Sequence, residues 1–185
     1  MMLSLLVAGL AALAQATRDA PVVHNNARAI YEAVLPSQPF HRGNLHGNIR
    51  GSVQASPGPD GVGVLYRVEF QNLPEEGGPF LYHIHVNPVP SDGNCTKTLA
   101  HLDPYKRGET PPCNASAPQT CQVGDLSGKY GEVKNDPFVD EYLDPYSSLD
   151  EGTEAFMGNR SIVVHFANKT RITCANLERI PGCSP

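Results

Sequence analysis

Positive charge is scarce in this sequence: 14 lysines and arginines face 19 aspartates and glutamates, a formal net charge of −5. Nucleic acid and anionic lipid both recruit protein through a positive field, so neither is an expected partner. Past the first residues there is also no apolar run that could cross a bilayer, and residues 179–185 carry no hydrophobic tail of the lipid-anchor kind. No membrane insertion is expected, and the chain reads as soluble. Long Ala/Glu/Lys/Leu tracts, internal repeats and low-complexity segments are missing too. In their place stand 17 glycines and 17 prolines among 40% hydrophobic residues, a balance that favours short strands joined by turns in an all-β fold. At 185 residues the chain has material for one core.

The chain opens with an apolar run, residues 1–13, followed by the small-x-small triplet Ala14-Gln15-Ala16. This reads as a signal peptide over residues 1–16, although only the initiating amine supplies charge ahead of the run. A domain over residues 17–185 is left, with its core at about 40–178. Export implies an oxidising compartment, in which four of the five cysteines can pair. Four Asn-x-Ser/Thr acceptors, at Asn94, Asn114, Asn159 and Asn168, agree with a secreted, extracellular location, the cell wall or cell surface included.

Strand signals come in sequence. Residues 27–34 offer a loosely patterned first candidate. Residues 47–55 and 62–70 alternate apolar and polar side chains around a Pro/Gly/Asp cluster, the pattern of a β-hairpin. Residues 80–86 form a further strand that ends before Pro88, Ser161–Phe166 another, and Arg171–Cys174 begins a short last one. Regular structure is scarce between Asn87 and Phe156, and a connection that long inside a small domain is usually functional or tied down by crosslinks and ions.

His83 and His85 lie two apart in a strand, where alternate side chains share a face, so both rings can reach one ion. Alone the pair equally fits two surface histidines. His165, at the end of an apolar strand, and His101, which opens the long loop beside Asp103, give four imidazoles reason to converge. Such a set suits copper in both oxidation states, with zinc the rival on ligand type alone. His24, His41 and His46 fall outside these patterns and read as surface or loop residues.

Several motifs resemble the copper/zinc superoxide dismutases, most closely their secreted fungal branch that carries copper only. Tyr82-His83-Ile84-His85 resembles the paired copper ligands, and His101-Leu102-Asp103-Pro104 the histidine that bridges copper and zinc. Gly124-Asp125-Leu126-Ser127-Gly128 is similar to the end of the zinc loop, Ile162-Val163-Val164-His165 to the fourth copper ligand, and Arg171-Ile172-Thr173-Cys174 to the active-site arginine with its disulfide cysteine. The motifs keep the family's order and run from about Gly47 to Ala175.

The resemblance implies an eight-stranded Greek-key β-barrel or sandwich with a long disulfide-tied loop. It also implies one copper held by His83, His85, His101 and His165, and disulfides Cys95–Cys174 and Cys113–Cys121, which leaves Cys183 odd. No histidine lies between His101 and His165, so the zinc site of two-metal relatives is broken and no zinc is expected. Glu109 stands near the first missing position and Gln122 at the second, where the copper-only branch places a glutamate; Asp125 survives. Five residues separate His165 from Arg171, a spacer too short for the charged loop of the two-metal enzymes.

The implied function is extracellular conversion of superoxide to hydrogen peroxide and oxygen by redox cycling of the copper. Arg171 would attract the anion, and His101 would carry a proton. Asp125 or Gln122, with Glu109 more remote, would orient the His101 ring. A copper-binding or storage module with little turnover, and an adhesion scaffold with incidental metal, are the readings from other classes. Oligomeric state is open, with a monomer marginally favoured.

Overall fold

A computed structural model of the chain describes residues 18–43 and 45–181. The signal peptide read over residues 1–16 and the odd Cys183 lie outside the described residues. Eight strands follow in chain order: β1 (Ile30–Val34), β2 (Arg50–Pro57), β3 (Val64–Gln71), β4 (Leu81–His85), β5 (Phe138–Asp144), β6 (Ser161–His165), β7 (Arg171–Asn176) and β8 (Glu178–Ile180). Among the described residues one short α-helix, α1 (Leu126–Tyr130), precedes β5. The strands form two antiparallel sheets, one in the order β5-β3-β2-β1-β8 and one in the order β4-β6-β7. The architecture is thus a Greek-key sandwich, not a closed barrel. Among the described residues no helix is long and apolar enough to cross a membrane.

The hairpin expected from its alternation forms as β2 and β3, in register from Arg50↔Gln71 to Pro57↔Val64. Both strands start two or three residues later than the sequence pattern placed them, because the turn is pinned by Gly58 N–H donating to the Gly63 carbonyl at 3.0 Å. Alternation sends Val53, Tyr66, Val68 and Phe70 inward to meet Tyr82, Ile84, Ile162, Val164 and Ile172 from the smaller sheet, all fully buried. Each such side chain contributes about 1.5–3 kcal/mol relative to an exposed one. β7 and β8 are separated only by buried Leu177, whose N–H donates to the Arg160 carbonyl, yet they belong to different sheets and turn one corner of the sandwich.

Two strands lie where little regular structure was expected or where no signal stood out. β5 pairs with β3 from Val64↔Asp144 to Phe70↔Phe138. β8 pairs with β1 through Ile30↔Ile180.

The opposite face of the smaller sheet positions the site. His83 pairs across from Val163, which pairs across from Cys174, so these three share the outer face with His85. The long connection between β4 and β5 folds over that face. Cys95–Cys174 ties it to β7, and Cys113–Cys121 closes a small loop within it. Gly124 lets it seat closely: its N–H donates to the Leu102 carbonyl and its own carbonyl receives Ile84 N–H. A Cβ there would meet the Ile84 carbonyl oxygen at 2.3 Å and Leu102 N at 2.8 Å.

Candidate metal centre

β4 delivers His83 and His85 on one face, β6 delivers His165 beside them, and the returning loop brings His101 into a bridge with His85. One ring nitrogen from each of the four lies within 4.8 Å of the others. His83 and His101 stack with centroids 3.9 Å apart, and His85 Nε2 and His165 Nε2 approach to 3.2 Å. His83, His85 and His165 are only 5%, 1% and 4% exposed, whereas His101 is half-buried at the mouth.

The outward nitrogens explain what faces inward. His85 Nδ1–H donates to the Leu99 carbonyl at 2.8 Å, and His165 Nδ1–H donates to the Lys169 carbonyl at 2.9 Å. His101 Nδ1–H donates to Gln122 Oε1 at 2.7 Å. His83 Nε2–H points at Ser127 Oγ, 3.2 Å away, with Asp125 Oδ1 at 3.4 Å. A neutral imidazole carries one hydrogen, so each inner nitrogen is left with a bare lone pair. His83 Nδ1 is buried with no partner at all.

Burial, reinforced by the neighbouring rings, holds His83 well below the ordinary histidine value and His85 at about 3. Burial lowers His165 to about 4. These rings are therefore neutral in ordinary conditions, the state that metal ligation requires. Bare lone pairs at 3.2 Å repel one another unless a cation sits between them. The donor set fits copper, which accepts all-imidazole ligation in both oxidation states.

Around the four rings the remaining expected residues take separate places. Gln122 touches His101, whereas Asp125 faces His83 and caps α1 by accepting Gly128 N–H at 2.9 Å. Glu109 does not approach His101 as a hydrogen-bond partner; it pairs with Lys169 at 2.6 Å, and that ammonium holds its carboxyl below the usual range. Arg171 lies across the β6–β7 ladder from His165 and donates to the carbonyls of Cys95, at 2.8 Å, and Leu99. The Leu99 carbonyl thus holds both a ligand ring and the guanidinium. A cavity of about 660 Å³ opens over the rings, lined in part by His83, His101, Glu109, His165 and Lys169.

Two contributors were not visible in the sequence. Ser127 reaches His83 from the second residue of α1, where a serine reads only as part of a turn motif. Lys129, on the same helix, is fully buried against Asp144 and also donates to the Val123 carbonyl at 2.9 Å. A lone lysine reads as surface, and its partner lies 15 residues away.

A Greek-key sandwich that turns four imidazole lone pairs to one point on its outer face defines a histidine-ligated metalloprotein. No family model matches the chain. Relatives and solved structures do, and by them the chain belongs to the fungal copper-only superoxide dismutase family. The solved copper(II) form of Candida albicans superoxide dismutase 5 is 32% identical with a TM-score of 0.72, covering 86% of this chain and 97% of that one. The cell surface Cu-only superoxide dismutase of Arthroderma benhamiae is 40% identical over 94% of this chain. Cell surface Cu-only superoxide dismutase 5 of Candida albicans is 39% identical over 70% of it. The chain spans about half the length of these curated relatives, 53% and 55%.

Proposed function

We propose that this chain is an extracellular superoxide dismutase that converts superoxide to hydrogen peroxide and oxygen at one copper held by His83, His85, His101 and His165. The observation that carries the reading is the convergence of four inner ring nitrogens whose outer partners are all oxygen atoms. When bound, copper supplies the one-electron exchange, taking an electron from one superoxide and giving it to the next.

The chain's own residues supply the rest. Arg171, held by two carbonyls and paired across the ladder from His165, carries a positive charge that draws the anion toward the rings in an otherwise acidic protein. Lys169 adds a second cation on the rim, partly offset by Glu109. Peroxide formation consumes protons, and His101 is the ring best placed to move one: it alone of the four is not closed off from solvent, so a proton held at Nε2 can exchange. Gln122 fixes that ring from behind, Asp125 and Ser127 fix His83, and no zinc is required.

The relatives' names place them at the cell surface, and the same placement is proposed here. Asn114, Asn159 and Asn168 are exposed, and Asn94 is half-exposed. Asn94, Asn114 and Asn168 accept the N–H of Thr96, Ser116 and Thr170 respectively, turning each acceptor toward its hydroxyl residue. All four are proposed glycan sites.

The test is superoxide removal by the purified, copper-loaded chain, compared with His165→Ala. Rapid removal by the wild type and its loss in the variant is expected. One tightly bound copper with no turnover would instead assign the chain to copper storage.

A further inference from the structure

We propose that Asp103 is a positioning residue of the metal centre: acting through the Gln122 amide, its carboxylate decides which nitrogen of His101 carries the hydrogen. The consequence for catalysis rests on the copper reading above. The geometry does not.

Two of the four rings are steered by groups that can only accept: His85 and His165 donate to main-chain carbonyls. His83 faces the Ser127 hydroxyl, which can accept or donate, but the Asp125 carboxylate at 3.4 Å can only accept. His101 alone is held by a side-chain amide, which has an accepting end and a donating end of nearly equal shape. Turned over, Gln122 would offer its nitrogen to His101 Nδ1. That nitrogen would then have to accept, and the ring hydrogen would move to Nε2, capping the atom that faces the ion. Something must therefore choose between the two orientations, and Gln122 is buried, so bulk water does not.

Asp103 is the group in position to choose. Its Oδ2 receives Gln122 Nε2 at 3.2 Å, and a carboxylate can only accept. The amide nitrogen is thereby drawn toward Asp103, which leaves the amide oxygen for His101 Nδ1–H and a free lone pair on Nε2. Asp103 is itself anchored: Oδ1 accepts Arg107 N–H at 2.9 Å and Oδ2 accepts Gly108 N–H at 2.8 Å. The chain of influence runs from the loop backbone through a carboxylate and an amide to the ring, and each link has one permitted polarity.

The test reads the tautomer directly, in the metal-free protein, from the ring-nitrogen NMR shifts of His101, with copper affinity measured in parallel. Wild type is expected to carry its hydrogen on Nδ1. Asp103→Ala, and Asp103→Asn, which keeps an oxygen for the loop amides, should shift the population toward Nε2–H and weaken copper binding by roughly 10- to 100-fold. Adding Gln122→Glu to either variant should restore both readouts, because a carboxylate accepts from Nδ1–H whichever way it is turned. Gln122→Glu alone should weaken binding, since it sets one carboxylate against another. An Nδ1–H tautomer unchanged by loss of Asp103, or losses that simply add in the double variant, would overturn the proposal and leave Asp103 as a loop-turn residue. Failure of the wild type to bind copper would leave the tautomer readout intact and count against the functional reading alone.

Discussion

Replacing Cys95 and Cys174 together with alanine should destabilise the fold more than replacing Cys113 and Cys121. The Cys95–Cys174 bridge closes a loop of 79 residues. In the chain-entropy relation a loop of that size restricts the unfolded chain by about 15 cal/mol/K, or about 4.5 kcal/mol at 25 °C. The Cys113–Cys121 bridge spans only 8 residues, and the same relation gives about 2.5 kcal/mol. Alanine is the suitable substitute because both cysteines are buried beside Val163, where a serine hydroxyl would add its own cost. Urea unfolding of the metal-free, oxidised protein provides the assay. Without the bridge the midpoint should fall and the slope should steepen, since an unlinked unfolded chain exposes more surface. The loosened turn should also release Arg171 from the Cys95 carbonyl. A loss below about 1 kcal/mol with an unchanged slope would refute the loop-closure reasoning.

The buried pair of Lys129 and Asp144 should behave differently from the exposed ones: Lys129→Met is expected to cost about 3–5 kcal/mol by leaving a carboxylate unpaired, and Asp144→Asn in the same chain to recover much of that, both read by denaturant midpoint. Acid should destabilise the metal-free form. The lowered values of His83, His85 and His165 mean the unfolded chain binds more protons, so this stability is full above about pH 6.5 and is lost as pH falls toward their folded values, about 3 for His85 and about 4 for His165. Unfolding midpoints compared at neutral and mildly acid pH measure the effect, and equal midpoints would contradict it. Arg171→Ala should slow superoxide removal roughly tenfold and flatten its dependence on salt, as expected where a charge steers the substrate; an unchanged rate and salt profile would remove Arg171 from the reaction.

How much of this was legible follows from the range of the forces involved. His83 and His85 were placed on one face by strand alternation alone, and the β2–β3 hairpin by its turn residues. β5 was not, because Phe138, Asp140, Tyr142 and Asp144 face inward while Val139, Glu141 and Leu143 face outward, so apolar and acidic residues occur on both sides and no alternation shows. α1 is five residues long and hides inside a motif that reads as loop. The long-range partnerships were invisible for a different reason. Lys129 with Asp144, Glu109 with Lys169, and Asp103 with Gln122 are set by the tertiary fold, and nothing in the local sequence marks one acid among 19 as the partner. Gln122 could be placed beside His101 only through family resemblance; the orientation of its amide emerges from the three-dimensional contacts.

The proposed function requires four inward imidazole nitrogens to grip one ion. Titrating the metal-free chain with copper(II), while following the nitrogen hyperfine pattern by electron paramagnetic resonance, tests it most directly. Saturation at one copper per chain with a nitrogen-dominated pattern, lost in both His83→Ala and His165→Ala, is the predicted result. A signal dominated by oxygen ligands, or one that survives both substitutions, would contradict it.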